Sequence, residues 1–227
     1  MKIEPNDPRL GPAFSASQAS KYLRVPEKTV RNWICHEDPV TIVPASPDNG
    51  RLYLSFLNLV EIHALSALRK EPTLSMRKIR KAIKELRASD LFGDLDYPFA
   101  TTRILTDGSG IYLEAFGELV DLADGRQMAM RGILEQYLSR VDFDHEGLAG
   151  RLFPFTQSGE NAEPRVVVID PTISYGSPCI IGTGLKTAVV YDMFEAGDSI
   201  GEIAKAYGRS EAEIEEAIRC EASAAAA

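Results

Sequence analysis

The stretch Gly176-Ser-Pro-Cys-Ile-Ile-Gly182-Thr-Gly184-Leu-Lys186-Thr187 sets glycines ahead of a Lys-Thr pair. Such a run raises phosphate binding, because glycine-rich turns can aim backbone N–H groups at an anion. A Walker-type loop needs four residues between its glycines and a Gly-Lys-Ser/Thr ending. Here five residues separate Gly176 from Gly182, Leu185 precedes Lys186, and Pro178 removes a backbone donor. No G-x-G-x-x-G occurs, so the dinucleotide fingerprint fails as well. Other reactive side chains are scattered. Cys35, Cys179 and Cys220 form no short-spaced pair, and His36, His63 and His145 lie far apart. Neither a structural zinc site nor a Cys–His nucleophile is implied. Asp142 and Asp144 would share a strand face, with no further carboxylate set beside them to hold a metal. No catalytic residue, cofactor or metal is expected, and the chain is not read as an enzyme.

A different chemistry stands out near the N-terminus. In Pro26-Glu-Lys-Thr-Val-Arg-Asn-Trp33, the apolar residues Val30 and Trp33, with Ile34, fall on one helical side. Lys28, Thr29, Arg31 and Asn32 are left facing outward. Arg or Lys can pair with guanine, Asn with adenine, and Thr can touch a thymine methyl or a phosphate. Trp33 is in register with the core residues and reads as core rather than as a stacking platform. Charge agrees with a polyanion partner at this end. Residues 14–87 hold 13 Lys/Arg against 7 Asp/Glu, whereas residues 88–227 hold 10 against 24, within a total net charge of -8. A basic module on an acidic body suggests nucleic-acid binding joined to another task, although solvated surface alone would give the same split.

The elements that would position these residues can be placed by periodicity and capping. Ser15-Ala-Ser-Gln18 has capping-box spacing, and Ala16, Ala19, Tyr22 and Leu23 continue as a helical stripe. After a turn at Arg24-Val25, Pro26 suits the first position of a second helix. Two short helices so joined are the helix-turn-helix pattern. Short strands over 41–43 and 51–54 flank Asn49-Gly50 and form a candidate wing, with Arg51 set for a phosphate contact. Ser55 caps a longer helix bearing Leu57, Val60, Ile62, Leu65 and Leu68, which Pro72 stops. Residues 75–88 form another, with Ile79, Ile83 and Leu86 on one side and Arg77, Lys78, Arg80, Lys81 and Lys84 on the other.

The expected fold class is α+β and helix-rich. Residues 1–13 read as a flexible arm and 14–88 as a winged helix-turn-helix DNA-binding domain. Residues 89–158 form a small α+β middle section, with strands over 102–105, 111–114, 119–122, 141–144 and 147–153 and a helix around 126–138. A linker at 159–163 leads to 164–222, a strand followed by a three-helix, helix-turn-helix-like interaction domain, and 223–227 are a low-complexity tail. In the last domain, Gly197 ends one helix and Ser210-x-x-Glu213 caps the final one. That final helix presents carboxylates where a phosphate backbone would repel them, so it suits a protein surface instead. Arg103, Arg126 and Arg131 carry no readable role. With no run of about 18 apolar residues and no apolar leader, a cytoplasmic protein with reduced thiols is expected.

Two segments resemble known families. SASQASKYLRVPEKTVRNWI, a wing ending in RLY and a helix with LNLVEIHAL are similar to the MerR-like winged helix-turn-helix. IDPTISYGSPCIIGTGLKTAVVYDMFEAGDSIGEIAKAYGRSEAEIEEAI resembles the small domain of unknown function that ends many VapB-type antitoxins. Asp170, Pro171, Gly176, Pro178, Gly182, Thr183, Gly197, Ser199, Ile203, Ala204 and Tyr207 match that pattern, while Gly184 stands where it usually has arginine. The resemblance implies an antitoxin that neutralises a VapC-like PIN-domain ribonuclease toxin and represses its own operon. Operator DNA, the toxin and a second copy of the chain, in a homodimer, are the implied partners. Lys28, Thr29, Arg31, Asn32 and Arg51 would touch the DNA. The alternative is a MerR-like regulator that answers a small effector and has no toxin.

Overall fold

The computed structural model describes residues 3–35, 52–70, 75–88, 97–102, 132, 135–156 and 164–222. It is α+β with helices predominating. In chain order the elements are β1 (Phe14–Ser15), α1 (Ala16–Leu23), α2 (Glu27–Ile34), β2 (Tyr53–Leu54), α3 (Phe56–Leu68) and α4 (Met76–Ala88). Then follow β3 (Val141–Phe143), β4 (Ala149–Leu152), β5 (Val167–Val168), β6 (Cys179–Ile180), α5 (Thr187–Glu195), α6 (Ile200–Tyr207) and α7 (Glu211–Ala222). Residues 135–138 are also helical. Among the described residues the strands pair as three antiparallel ribbons, β1–β2, β3–β4 and β5–β6, and a bridge between Leu152 and Ile169 joins the last two.

Local chemistry explains the helix starts. Ser15, Ser55 and Ser199 each accept from the third helical amide while Gln18, Asn58 and Glu202 reach back to the cap. These reciprocal bonds satisfy donors that a helix start otherwise leaves open. The Ser210–Glu213 box forms in the same way. Pro26 occupies the cap itself, so α2 starts one residue later than its sequence suggests. Arg24 closes α1 in the left-handed conformation, with φ 54, without a glycine to ease it.

α3 is the centre of the core. Leu57, Leu59, Val60, Ile62, Leu65 and Leu68 are fully buried, but so are Asn58, Glu61 and His63. A helix apolar on every side belongs inside the fold, and its polar residues must find partners there. Glu61 accepts from the Phe99 amide at 3.0 Å, and His63 Nε2 donates to the Tyr137 carbonyl at 3.0 Å. Around α3 the core gathers residues from Phe14 to Cys220, and a second cluster of Ile180, Val190, Ile203, Ala204, Ile214 and Ala217 sits among α5, α6 and α7.

The arm expected at the N-terminus makes specific contacts over 3–13. Ala13 donates to the Leu54 carbonyl, extending the β1–β2 ribbon, and Arg9 pairs with Asp7 at 2.7 Å and Asp144 at 2.6 Å. The strands expected at 141–144 and 147–153 form β3 and β4. Those at 41–43, 102–105, 111–114 and 119–122, the turn at Asn49-Gly50, most of the helix at 126–138, the linker and the tail lie outside the described residues. The same holds for Arg51, Pro72, Arg103, Arg126 and Arg131, and for the side chain of Leu86. Among the described residues, β2 pairs with β1 on the N-terminal side. No helix described is long and apolar enough to cross a membrane.

Candidate nucleic-acid interface

α2 holds its apolar face inward by burying Val30, Trp33 and Ile34, at 0%, 3% and 6% exposure. The helical period then sets Lys28, Arg31 and Asn32 on the open side, with Thr29 half-buried at its edge. Four of the five residues expected to read or hold DNA are therefore brought onto one helix; the fifth, Arg51, falls outside the described residues.

Two neighbours shape this face. The first is Glu27, one turn before Arg31, which accepts from its guanidinium at 2.6 and 2.7 Å. The pair is exposed, so it contributes little stability, but it occupies the cation a phosphate or guanine would need. The second is Arg80 on α4, whose Nη2 donates to the Asn32 carbonyl at 3.2 Å. A cation on the last-turn carbonyls of a helix is favoured by the helix dipole. Arg80 thereby ties the end of α2 to α4, on which Arg77, Lys81 and Lys84 are exposed. Glu27 was legible as an i, i+4 partner of Arg31. The approach of α4 was not, because the intervening chain leaves its packing angle open.

The glycine stretch has another role. The amides of Ile180, Ile181, Thr183, Leu185 and Thr187 donate to the carbonyls of Leu185, Val166 and Ile180, the Thr183 hydroxyl and the Pro178 carbonyl. An anion cradle needs such amides unpaired. These are spent on the β6 turn and the entry to α5. Gly176 has φ +75, and a Cβ there would lie 3.2 Å from the ring of Phe14 in β1. The stretch is thus a joint against the N-terminal ribbon.

More of that joint comes from α7. Glu221, nearly buried, pairs with Lys21 of α1 and accepts from the Thr187 hydroxyl. Glu216 accepts from Thr156, whose carbonyl accepts from Arg24, and it also pairs with Arg219. The sequence suggested that the carboxylates of this last helix face solvent. Glu216 and Glu221 instead point inward, and their cost of burial is offset by these cations and hydroxyls. Cys179 and Cys220 are buried, which raises both thiols, Cys220 to about 12. Neither is a ready thiolate at neutral pH. Asp142 pairs with Arg165 and Asp144 with Arg9, and among the described residues no group of three or more His, Cys, Asp or Glu is placed to hold a metal ion.

Comparison with known proteins places this arrangement. Residues 167–219 match the family model described as "Protein of unknown function (DUF433)". Across 91% of this chain and 92% of the relative, the sequence is 25% identical to the "Putative antitoxin VapB45" of Mycobacterium tuberculosis. The chain resembles a VapB-type antitoxin along nearly its whole length. The fold is also similar to the crystal structure of Rv2018 from Mycobacterium tuberculosis, with a TM-score of 0.71, 24% identity, and coverage of 92% of this chain and 98% of that one. At 91% of this chain, the antitoxin resemblance extends well beyond the 167–219 segment.

Proposed function

We propose that this chain is the antitoxin of a type II toxin–antitoxin pair, which neutralises a PIN-like ribonuclease and represses its own operon as a cytoplasmic homodimer. The observation that carries the reading is the antitoxin resemblance over 91% of the chain. DNA binding is supported by α2, which carries Lys28, Thr29, Arg31 and Asn32 and whose last turn is met by Arg80 of the basic α4. Arg51 supplies a phosphate contact from a wing within 14–88. Symmetric operators mirror a protein two-fold axis, which is the reason for a dimer. Toxin binding falls to the 164–222 unit, where Asp192, Glu195, Asp198 and Glu202 are exposed. A nuclease groove built for RNA is basic, and these carboxylates complement it.

The α2 ion pair makes the DNA half testable with opposite signs. Arg31→Ala weakens operator binding by about 1–3 kcal/mol if it pairs with a base. If it meets a phosphate instead, the salt slope falls by about one. Glu27→Ala releases Arg31 and tightens binding up to about fivefold, the limit for an exposed pair worth at most ~1 kcal/mol. Gel-shift titrations on upstream DNA at several salt concentrations read both, and a salt-independent or absent complex rejects DNA binding.

The toxin half is tested by co-expressing the chain with the product of the adjacent reading frame. The expected result is a co-purifying complex in which ribonuclease activity is suppressed. Glu195→Lys with Asp198→Lys lowers that affinity at least about tenfold, because two rim attractions become repulsions. An adjacent product that is no nuclease, or that does not bind, rejects this half.

A further inference from the structure

Between α2, the end of α3 and α4 lies a cavity of about 510 Å3, lined by Thr29, Asn32, Trp33, Cys35, Arg69, Met76 and Arg80. Its volume is within the about 300–1,000 Å3 of small-molecule sites. Its lining has two parts. Trp33 and Met76 supply an aromatic and a thioether surface, while Arg69 and Arg80 bring guanidinium groups. Arg80 donates through Nη2 to the Asn32 carbonyl, a neutral acceptor that leaves the guanidinium charge uncompensated there. A guanidinium anchored on a neutral carbonyl at the wall of a cavity keeps its charge available to an oxyanion.

From these observations we infer that this cavity binds a small organic acid, its carboxylate on the Arg80 guanidinium and its apolar body against Trp33 and Met76. A bare phosphate would satisfy the arginine but leave the apolar surface unused. A neutral aromatic would fill the space but make no charge-assisted contact with Arg80. The cavity walls include Thr29 and Asn32, so the occupant borders the helix read above as the DNA-facing one. The site itself is independent of the antitoxin reading, and it is tested without DNA or toxin.

Trp33 is the single tryptophan of the chain, so its emission reports on the cavity directly. The full chain is titrated with sodium benzoate, benzamide and inorganic phosphate at constant ionic strength, with excitation where tyrosine is silent. Benzoate is expected to change the emission saturably, with benzamide and phosphate at least about tenfold weaker. Arg80→Gln should cost benzoate about tenfold or more, since a charge-assisted contact is lost. Met76→Glu, which adds a rival carboxylate to the wall, should abolish the response even if Arg80→Gln fails to fold. No saturable response in the wild type overturns the inference. So does phosphate binding as tightly as benzoate, or a folded Met76→Glu chain that still binds benzoate normally.

Discussion

Replacing Gly176 by valine is expected to destabilise the protein by about 2–5 kcal/mol. Two costs combine. At φ +75 an L side chain is strained, by about 1–2 kcal/mol, and a β-branched one is the least tolerated there. The new Cβ also stands 3.2 Å from the Phe14 ring, which is itself only 2% exposed and set edge-on to Tyr22, so it cannot withdraw freely. Overpacking of this kind adds about 1–3 kcal/mol. For a chain of 227 residues each kcal/mol lowers Tm by about 2–4 °C, so a fall of roughly 4–20 °C follows. Gly184→Ala is the control. Its Cβ would meet nothing within 4 Å, and its φ lies outside the left-handed range, so stability should change by no more than about 0.5 kcal/mol. A double-mutant cycle with Phe14→Leu separates the costs. The clash is relieved in the pair, while the backbone strain remains. Equal melting temperatures for Gly176→Val and the wild type would remove the joint assigned to this loop.

Acid should weaken the fold in a window set by His63. The ring lies in α3, stacked 5.6 Å from Phe155 and tilted at 4.9 Å from Tyr137, centroid to centroid. Burial is the main cause that lowers its pKa from 6.5 to about 4, opposed by the Tyr137 carbonyl and assisted by the nearby cations Arg140 and Lys70. In the folded protein the ring is therefore neutral at pH 7, and its single proton sits on Nε2, facing that carbonyl. Between these two pKa values the unfolded chain binds a proton that the folded chain refuses. The stability is fully present above about pH 6.5 and falls as pH drops toward 4, by about 3 kcal/mol in all. His63→Gln keeps an N–H for Tyr137 but does not titrate, so its stability should be nearly flat over that window. Chemical denaturation at a series of pH values reads the difference. An unchanged slope in His63→Gln would contradict a buried neutral histidine.

The acidic partners act lower. In Asp7 and Asp144 burial raises the carboxyl pKa, but bonds from Arg9, and for Asp144 its turn amides, outweigh it. In Asp170 the same burial is outweighed by Thr172 and Arg151. Their contribution is present above the unfolded carboxyl pKa of 3.8 and is lost below it. The histidine limb can thus be separated from the carboxylate limb.

Several features were readable from residue order because they are decided within a few residues. Capping boxes at Ser15 and Ser210, the inward stripe of Val30, Trp33 and Ile34, and the outward set of Lys28, Arg31 and Asn32 follow from helix geometry. The resemblance carried by the 170–207 motif was equally legible, since it rests on residue types at set spacings. Long-range placement was not. Periodicity marks which face of a helix is apolar but not what covers it, and α3 is covered on every side. For that reason the burial of His63 and Glu61 is decided only when the fold encloses them. Likewise nothing local says that Glu216 and Glu221 turn inward, because apart from Arg219 the groups that receive them, Lys21, Thr156 and Thr187, lie far away in the chain. The glycine stretch shows the division most clearly. Its spacing excluded a phosphate loop, whereas only the fold shows that a side chain at 176 would meet a left-handed backbone and the ring of Phe14, more than a hundred residues earlier.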